Sequence, residues 1–205
     1  MTNPIEYNQS NDREAWLIEA GDYISRDLLA PIAERYNLPL PPVRYSVGFG
    51  VGTRGAATKT LGMCIARSAS ADSHNEIFIS PIVSDSATVL ATLVHELIHA
   101  FLDNADGHKG RFRALAVAVG LEGKMTATNA GPELTETLAG YIDLLGPIPH
   151  AAIDLEIAHK PQKSRMIKVS CTECGFHFRA SRTQIEAFTH NTCLVCAAEA
   201  LQPEQ

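Results

Sequence analysis

The sequence predicts an α+β protein in two parts: a first domain of helices with a small mixed sheet, and a compact cysteine-rich unit near the C-terminal end. Its 205 residues allow one full domain and a small second one. A hydrophobic fraction of 45% with 20% charged residues is enough to bury a core and excludes wholesale disorder. Helical spacing, short β-type runs and clustered cysteines divide the chain into these parts.

The first segment predicts a helix and then strands. Apolar residues recur at helical spacing from Trp16 to Ile32, and Pro31 predicts a kink or break near residue 30. Three short β-type runs then predict strands, at Val43–Phe49, Leu61–Ala66 and Glu76–Ile79.

The middle segment predicts three helices. Ser84-Asp85-Ser86 caps a long apolar helix from Ala87 to about Leu102. A second helix is expected over Gly110–Val119, and Pro132 begins a third because proline is favoured in a first helical turn. Residues 121–131 are expected to be irregular. The predicted domains are residues 1–155 and 169–205, joined by a basic linker over 156–168.

The charge of the chain argues against non-specific DNA binding by its overall field. The formal net charge is -6, although residues 157–205 carry 6 Lys+Arg against 4 Asp+Glu. No run of about 18 apolar residues predicts a membrane span. The N-terminal residues lack the basic and apolar regions of a secretory signal, so a cytoplasmic location is expected.

The strongest motif is His95-Glu96-Leu97-Ile98-His99. Histidines at positions i and i+4 lie on one helix face and can share a zinc ion, and the glutamate beside them can act as general base on a metal-bound water. Seven apolar residues surround the motif, at Leu90, Leu93, Val94, Leu97, Ile98, Phe101 and Leu102. Burying these polar groups would be costly unless they were paired or metal-bound. The motif therefore predicts hydrolysis of peptide bonds by water that Glu96 activates on zinc.

A catalytic zinc needs a third protein ligand. Asp103 is expected one turn beyond His99 on the same helix, where it could reach the metal, and Glu133 or Glu136 could reach it from the later helix. We favour His108, because Gly107 before it permits a tight reversal of the chain after the helix.

These residues carry a family resemblance. The motif at 95–99, followed by Gly107-His108 and Phe112 and preceded by Glu76-Ile77-Phe78-Ile79-Ser80, resembles the SprT-like (Spartan-type) zinc metalloproteases over roughly residues 45–120. The resemblance implies a zincin-like domain in which His95, His99 and His108 bind zinc and Glu96 is the catalytic base. It also implies substrates that are proteins on DNA or crosslinked to DNA. The loop between His99 and His108 is shorter than in many members, and the acidic net charge is unusual for proteins that act on DNA.

Two C-x-x-C pairs, Cys171/Cys174 and Cys193/Cys196, predict a second zinc site. Eighteen residues separate the pairs, which is the spacing of a four-cysteine zinc ribbon. Four thiolates close the coordination sphere, so this second zinc is expected to be structural. Cys64 stands apart and is interpreted as a small buried hydrophobe.

The cysteine unit could also bind DNA. Six basic residues lead into it or lie within it, at Lys160, Lys163, Arg165, Lys168, Arg179 and Arg182. Phe176, Phe178 and Phe188 are interleaved with them and either stack on bases or form a minimal core. Two alternatives to a protease of DNA-associated proteins stay open: a protease that cuts a repressor or another regulator, and a non-enzymatic zinc protein that binds nucleic acid.

Overall fold

The computed structural model describes residues 12–50, 60–158, 166–187 and 190–203. The chain forms two compact units, Met1–Leu155 and Glu156–Gln205, which we call the first unit and the second unit. The architecture is α+β, with helices and small sheets in each unit. Most of the basic linker predicted over 156–168 lies outside the described residues, as do Lys160, Lys163, Arg165 and Phe188.

The first unit begins with a helix whose start is fixed by a side chain. The Asp12 carboxylate accepts hydrogen bonds from the backbone N–H groups of Glu14 and Ala15, which begins the helix at Arg13. The break predicted near Pro31 is present as a π-helical segment over Ile24–Leu29, in which the N–H of Ala30 donates to the carbonyl of Ser25. The helix then resumes over Ala30–Ala33 and tightens to a 3-10 turn over Glu34–Tyr36.

The helices and strands of the first unit are α1 (Arg13–Tyr23), α2 (Ala30–Ala33), β1 (Val43–Val47), β2 (Gly62–Ile65), β3 (Asn75–Ile79), α3 (Ser86–Phe101), α4 (Gly110–Ala118), β4 (Leu121–Lys124), β5 (Ala127–Ala130) and α5 (Pro132–Leu145). The three predicted strands and the three predicted helices of this region are confirmed, with shifts of one or two residues at most ends. A short helix, α6 (Leu155–Ala158), lies at the junction of the units.

A mixed sheet and a central helix form the core of the first unit. The strand order is β1-β3-β2, with β1 parallel and β2 antiparallel to β3, so β2 is an edge strand. Residues 75, 77 and 79 of β3 alternate inward and are buried. Helix α3 packs against β2, β3 and β5 and against α4 and α5, so it lies at the centre of the unit.

The prediction that residues 121–131 are irregular is wrong. Strands β4 and β5 form an antiparallel hairpin in which Leu121 pairs with Ala130 and Gly123 with Thr128. Its base is closed by the N–H of Gly131, which donates to the carbonyl of Gly120 at 2.8 Å. Leu121 is buried in the main core, and Met125 and Ala130 pack against that core. Tertiary packing rather than local propensity therefore forms the hairpin.

The second unit is a three-stranded antiparallel sheet with one short helix. Its elements are β6 (Ile167–Cys171), β7 (His177–Ala180), α7 (Arg182–Glu186) and β8 (Leu201–Pro203), and the strand order is β7-β6-β8. A reciprocal capping box between Ser181 and Gln184 begins α7. The core of this unit is very small, with Val169, Cys171, Cys193 and Leu201 buried.

Candidate functional site

Helix α3 presents His95, Glu96 and His99 from the centre of the first unit. Its start is fixed by Asp85, whose carboxylate accepts hydrogen bonds from the backbone N–H and the hydroxyl of Thr88. These bonds lower the pKa of Asp85. Glu96 and His99 are both buried, so the motif lies within the fold rather than on an exposed helix face.

Three imidazoles converge on one point. The Nε2 atom of His108 lies 3.2 Å from the Nε2 of His95 and 3.2 Å from the Nε2 of His99. Zinc–nitrogen bonds of about 2.0–2.1 Å in a tetrahedral site place neighbouring nitrogens about 3.4 Å apart. The three residues form one of two groups in the described part of the chain whose donor atoms could hold a metal ion. The donor set and the spacing both fit zinc.

The loop that carries His108 returns to α3 through unusual backbone conformations. Asp103 and Asn104 have positive φ angles of 50° and 58° and reverse the chain directly after the helix. The side-chain amide of Asn104 donates to the carbonyl of Cys64 at 2.9 Å, which ties the loop to β2. Gly107 and Gly110, with φ of 53° and 50°, flank His108 and allow the second turn.

Of the candidates for the third ligand, the structure places His108 next to His95 and His99. The expectation that Asp103 extends the helix face is wrong, because α3 ends at Phe101 and the Asp103 carboxylate pairs with Arg67 at 3.2 Å. Glu133 and Glu136 are exposed on α5, and neither belongs to the histidine group.

Phe112 forms an apolar wall against all three histidines. It is fully buried, and its ring centroid lies 4.4–5.0 Å from those of His95, His99 and His108. Burial lowers the pKa of His95 to about 4 and that of His99 to about 3, and it also lowers the pKa of His108. The imidazoles are therefore neutral at pH 7, which is the form that binds metals.

Glu96 is buried beside the histidines, and its carboxyl group lies between the backbone of Cys64 and Gly62 of β2. Burial raises the pKa of its carboxyl to about 8, and the backbone N–H of Cys64 donates to that carboxyl and partly offsets the rise. Gly62 on β2 faces the glutamate. A Cβ atom at Gly62 would lie 2.9 Å from both Cγ and Oε1 of Glu96, so the absence of a side chain there makes room for the carboxylate.

Sequence reasoning missed the contact between Thr128 and His95. The Thr128 hydroxyl on β5 lies 2.9 Å from Nδ1 of His95, on the ring edge opposite the converging nitrogens. Thr128 is the only β-branched residue in either strand of the hairpin, so the segment carried no β-propensity signal that could have predicted it.

A cleft of about 600 Å³ opens over the histidines and Glu96. Residues 60–64 of the β2 segment line one side, and residues 126–129 of the hairpin line the other. The cleft therefore gives a ligand access to the converging nitrogens and to the carboxylate.

The four cysteines form the second candidate metal centre. The Sγ atoms of Cys171 and Cys196 lie 3.6 Å apart, as do those of Cys174 and Cys193. Zinc–sulfur bonds of about 2.3 Å place sulfurs about 3.8 Å apart in a tetrahedral site. The cysteines are free thiols, and all four sulfurs lie within 4.8 Å of one another. Backbone N–H groups of Cys196 and Val195 donate to the Cys193 sulfur and lower its pKa to about 7.

Two phenylalanines of the second unit, Phe176 and Phe178, pack into its core. Phe176 and Phe178 pack against the buried cluster around Val169 and Cys171, which favours the minimal-core interpretation over base stacking. The opposite face of the sheet is polar, since Lys168 pairs with Arg179 and Ser170 with His177 across β6 and β7. Lys168 and Arg179 therefore lie opposite each other on this face, and the Arg179 guanidinium donates to the carbonyl of Met166 at 3.4 Å.

Comparisons with known proteins identify the first unit. A model of the SprT-like family matches residues 32–132, about half of the chain, and the match includes all three histidines and Glu96. No curated protein and no solved structure matches the chain significantly. None of the helices over the described ranges has the length and apolar character needed to cross a bilayer.

Proposed function

This chain belongs to the SprT-like family, and from that premise we propose that it is a zinc-dependent metalloendopeptidase. The observation that carries the proposal is the convergence of three imidazoles beside a buried glutamate at an open cleft, with the Nε2 of His108 3.2 Å from the Nε2 atoms of both His95 and His99. In this proposal the first unit is the zincin-like catalytic domain and the second unit is a structural zinc ribbon.

His95, His99 and His108 would hold the catalytic zinc, and Cys171, Cys174, Cys193 and Cys196 the structural one. When bound, the catalytic zinc would lower the pKa of its water and polarise the carbonyl of the scissile peptide. Glu96 is the general base of this scheme. With its ionised form favoured by the nearby metal cation, the Glu96 carboxylate would take the proton of the attacking water and then deliver that proton to the leaving amine.

At the edge of β2, Gly62 offers its backbone groups to an extended peptide. The N–H and carbonyl of Cys64 both point away from β3, since they bond Glu96 and the amide of Asn104. Alternation along the strand places the N–H and carbonyl of Gly62 on the same edge, towards the cleft. A substrate segment that pairs with this edge would lie across Glu96 and the three histidines, which favours unfolded or extended protein segments as substrates.

The second unit supplies a surface that can attract DNA. The paired cations Lys168 and Arg179 lie on the polar face of its sheet, and the exposed Arg182 begins α7. Lysine and arginine side chains on such a face can contact the phosphate groups of DNA. On this basis we propose that the substrates are proteins on DNA or crosslinked to DNA, recruited through this face.

The Glu96→Gln substitution tests the proposed chemistry. Glutamine keeps the size of the side chain but accepts no proton, so proteolysis of an unfolded protein substrate is expected to fall by about 100-fold or more. Zinc content measured by native mass spectrometry should stay at two ions per chain. The matched control is Glu133→Gln, which changes an exposed glutamate on α5 and should leave the rate unchanged. Cleavage by Glu96→Gln at the unaltered rate would exclude Glu96 from the mechanism.

The proposed recruitment is tested by adding DNA. Cleavage of a DNA-binding protein should be faster when DNA is added than when it is left out. The Lys168→Ala/Arg179→Ala double variant should lose this acceleration but should still cleave a substrate that does not bind DNA. Arg35→Ala, an exposed cation in the first unit, is the control. Equal rates with and without DNA would favour a protease of free regulators. DNA binding without any proteolysis would favour the non-enzymatic alternative.

A further inference from the structure

We propose that Thr128 is a positioning residue that holds the His95 imidazole in the orientation and tautomer that present its Nε2 to the metal. The inference rests on one part of the proposed function, namely that the three histidines hold a metal ion. It assigns a role in the metal site to the β4–β5 hairpin, which is remote in sequence from the helix motif.

The two nitrogens of His95 face different partners. Its Nε2 lies 3.2 Å from the Nε2 of His108, at the point where the imidazoles converge, while its Nδ1 lies 2.9 Å from the Thr128 hydroxyl oxygen. A neutral imidazole carries one proton. If Nε2 provides its lone pair to the metal, Nδ1 must carry the proton and donate it to the Thr128 oxygen. Such outer hydrogen bonds fix the ring and its tautomer in metal sites.

The hairpin holds the Thr128 hydroxyl firmly relative to α3. Thr128 pairs with Gly123 in the β4–β5 ladder. The hairpin is closed at its base by the bond from Gly131 to Gly120, and Leu121 anchors it in the main core. The oxygen that faces His95 is therefore supported by packed structure on both strands.

The second histidine of the helix, His99, lacks this support. Within the described ranges, Nδ1 of His99 is buried and has no hydrogen-bond partner, so packing against Phe112 is what orients that ring. Of the two helix histidines, His95 is therefore the one whose orientation depends on a hydrogen bond. Removing that bond should loosen the site even though no ligand is lost.

Zinc affinity tests the proposal without relying on activity. The full chain is titrated with zinc against a chromophoric chelator. Thr128→Val keeps the shape of the side chain but removes the hydroxyl, and one of the two zinc equivalents should bind about 10- to 100-fold more weakly. Thr128→Ser should restore affinity close to that of the unaltered protein. Thr137→Val makes the same change on the exposed side of α5 and should have no effect.

The results separate this inference from the proposed function. Unchanged zinc affinity in Thr128→Val would overturn the role of Thr128 and leave the proposed metalloprotease intact. Equal losses in Thr128→Val and Thr128→Ser would also overturn it, since the hydroxyl would then not be the determinant. A single zinc equivalent in the unaltered protein, lost when the cysteines are replaced, would overturn both.

The tautomer provides a second readout that a purely structural role would not change. In NMR spectra of the zinc-loaded full chain, the His95 Nδ1 proton should be present and slow to exchange, and Thr128→Val should make its exchange faster. A proton on Nε2 of His95 in the zinc-loaded protein would contradict the proposal.

Discussion

At the scale of single residues, the placement of Glu96 depends on a missing side chain on the opposite strand. A Cβ atom at Gly62 would approach Thr92 Cγ2 to 2.6 Å as well as the glutamate. Contacts this short require the carboxylate or the strand to move. A displacement of about 1 Å at a reacting group can lower a rate about 100-fold. Gly62 is therefore part of the geometry of the site, although it contributes no chemical group to it.

We expect Gly62→Ala to lower proteolysis by about 10- to 100-fold while both zinc ions remain bound, because the methyl group displaces Glu96 but no ligand. Rates on an unfolded substrate and zinc content by native mass spectrometry measure the two effects. Gly48→Ala is the control, since its Cβ would meet only Phe78 at an ordinary 3.7 Å. Full activity in Gly62→Ala would show that Glu96 keeps its catalytic position despite the added methyl group.

At the scale of elements, the turn between α3 and α4 determines where the third histidine lies. The Asp106 carboxylate accepts hydrogen bonds from the backbone N–H of Arg111 at 2.8 Å and from its guanidinium at 2.9 and 3.1 Å. These bonds, which lower the pKa of Asp106, connect the two sides of the His108 turn. The turn is therefore pinned to the first residues of α4.

Asp106→Ala should loosen this turn and weaken zinc binding at the histidine site by about tenfold, by analogy with other outer residues of metal sites. Competition with a chelator measures the change. Asp22→Ala removes an exposed ion pair with Arg26 on the first helical stretch and should leave zinc affinity unaltered. Equal affinities for Asp106→Ala and Asp22→Ala would show that the turn keeps its shape without the carboxylate.

The two cysteine knuckles differ at one backbone position. Gly175 follows Cys174 with φ of 75°, and Ala197 follows Cys196 with φ of 60°. Alanine in this conformation carries about 1 kcal/mol of strain. We expect Ala197→Gly to stabilise the zinc-loaded second unit by up to about 1 kcal/mol and Gly175→Ala to destabilise it by a similar amount. Hydrogen exchange at the backbone amide of Val169 measures the change in stability in each variant. Changes of the same sign in Ala197→Gly and Gly175→Ala would contradict the expectation.

The sequence predicts elements well where a local pattern encodes them. The cap at Asp85, the apolar spacing along α3 and Pro132 were sufficient to place α3 and α5. The histidine triad was also predictable, because glycine before His108 signals a reversal. Thr128 was not, since its strand forms through packing of Leu121 and Ala130 on a core that is assembled from distant segments. The same holds for the space at Gly62, which depends on the pairing of β2 with β3.

At the scale of the whole molecule, the buried titratable groups of the first unit predict how its stability depends on pH. In the zinc-free protein, the lowered pKa values of His95 and His99 mean that the unfolded chain binds more protons below about pH 6.5, so stability falls as the pH falls through that range. The raised pKa of Glu96 acts in the opposite direction. The folded chain retains that proton from about pH 4.5 to about 8, so stability falls as the pH rises.

Two histidines outweigh one carboxyl below pH 6.5, so zinc-free protein should be most stable near pH 6.5. Urea unfolding followed by fluorescence reports on the first unit alone, because Trp16 is the one tryptophan of the sequence and is buried there. Glu96→Gln should abolish the decline between pH 6.5 and 8. If the stability of Glu96→Gln fell with the same slope over this pH range, another titratable group would have to cause the decline.

The central claim is that three imidazoles of the first unit hold a zinc ion beside Glu96. Anomalous X-ray diffraction at the zinc edge, from crystals of the full chain, tests it most directly. The account predicts one peak about 2.0–2.1 Å from the Nε2 atoms of His95, His99 and His108 and a second among the four cysteine sulfurs. A zinc-replete crystal with a peak at the cysteines and none at the histidines would contradict it.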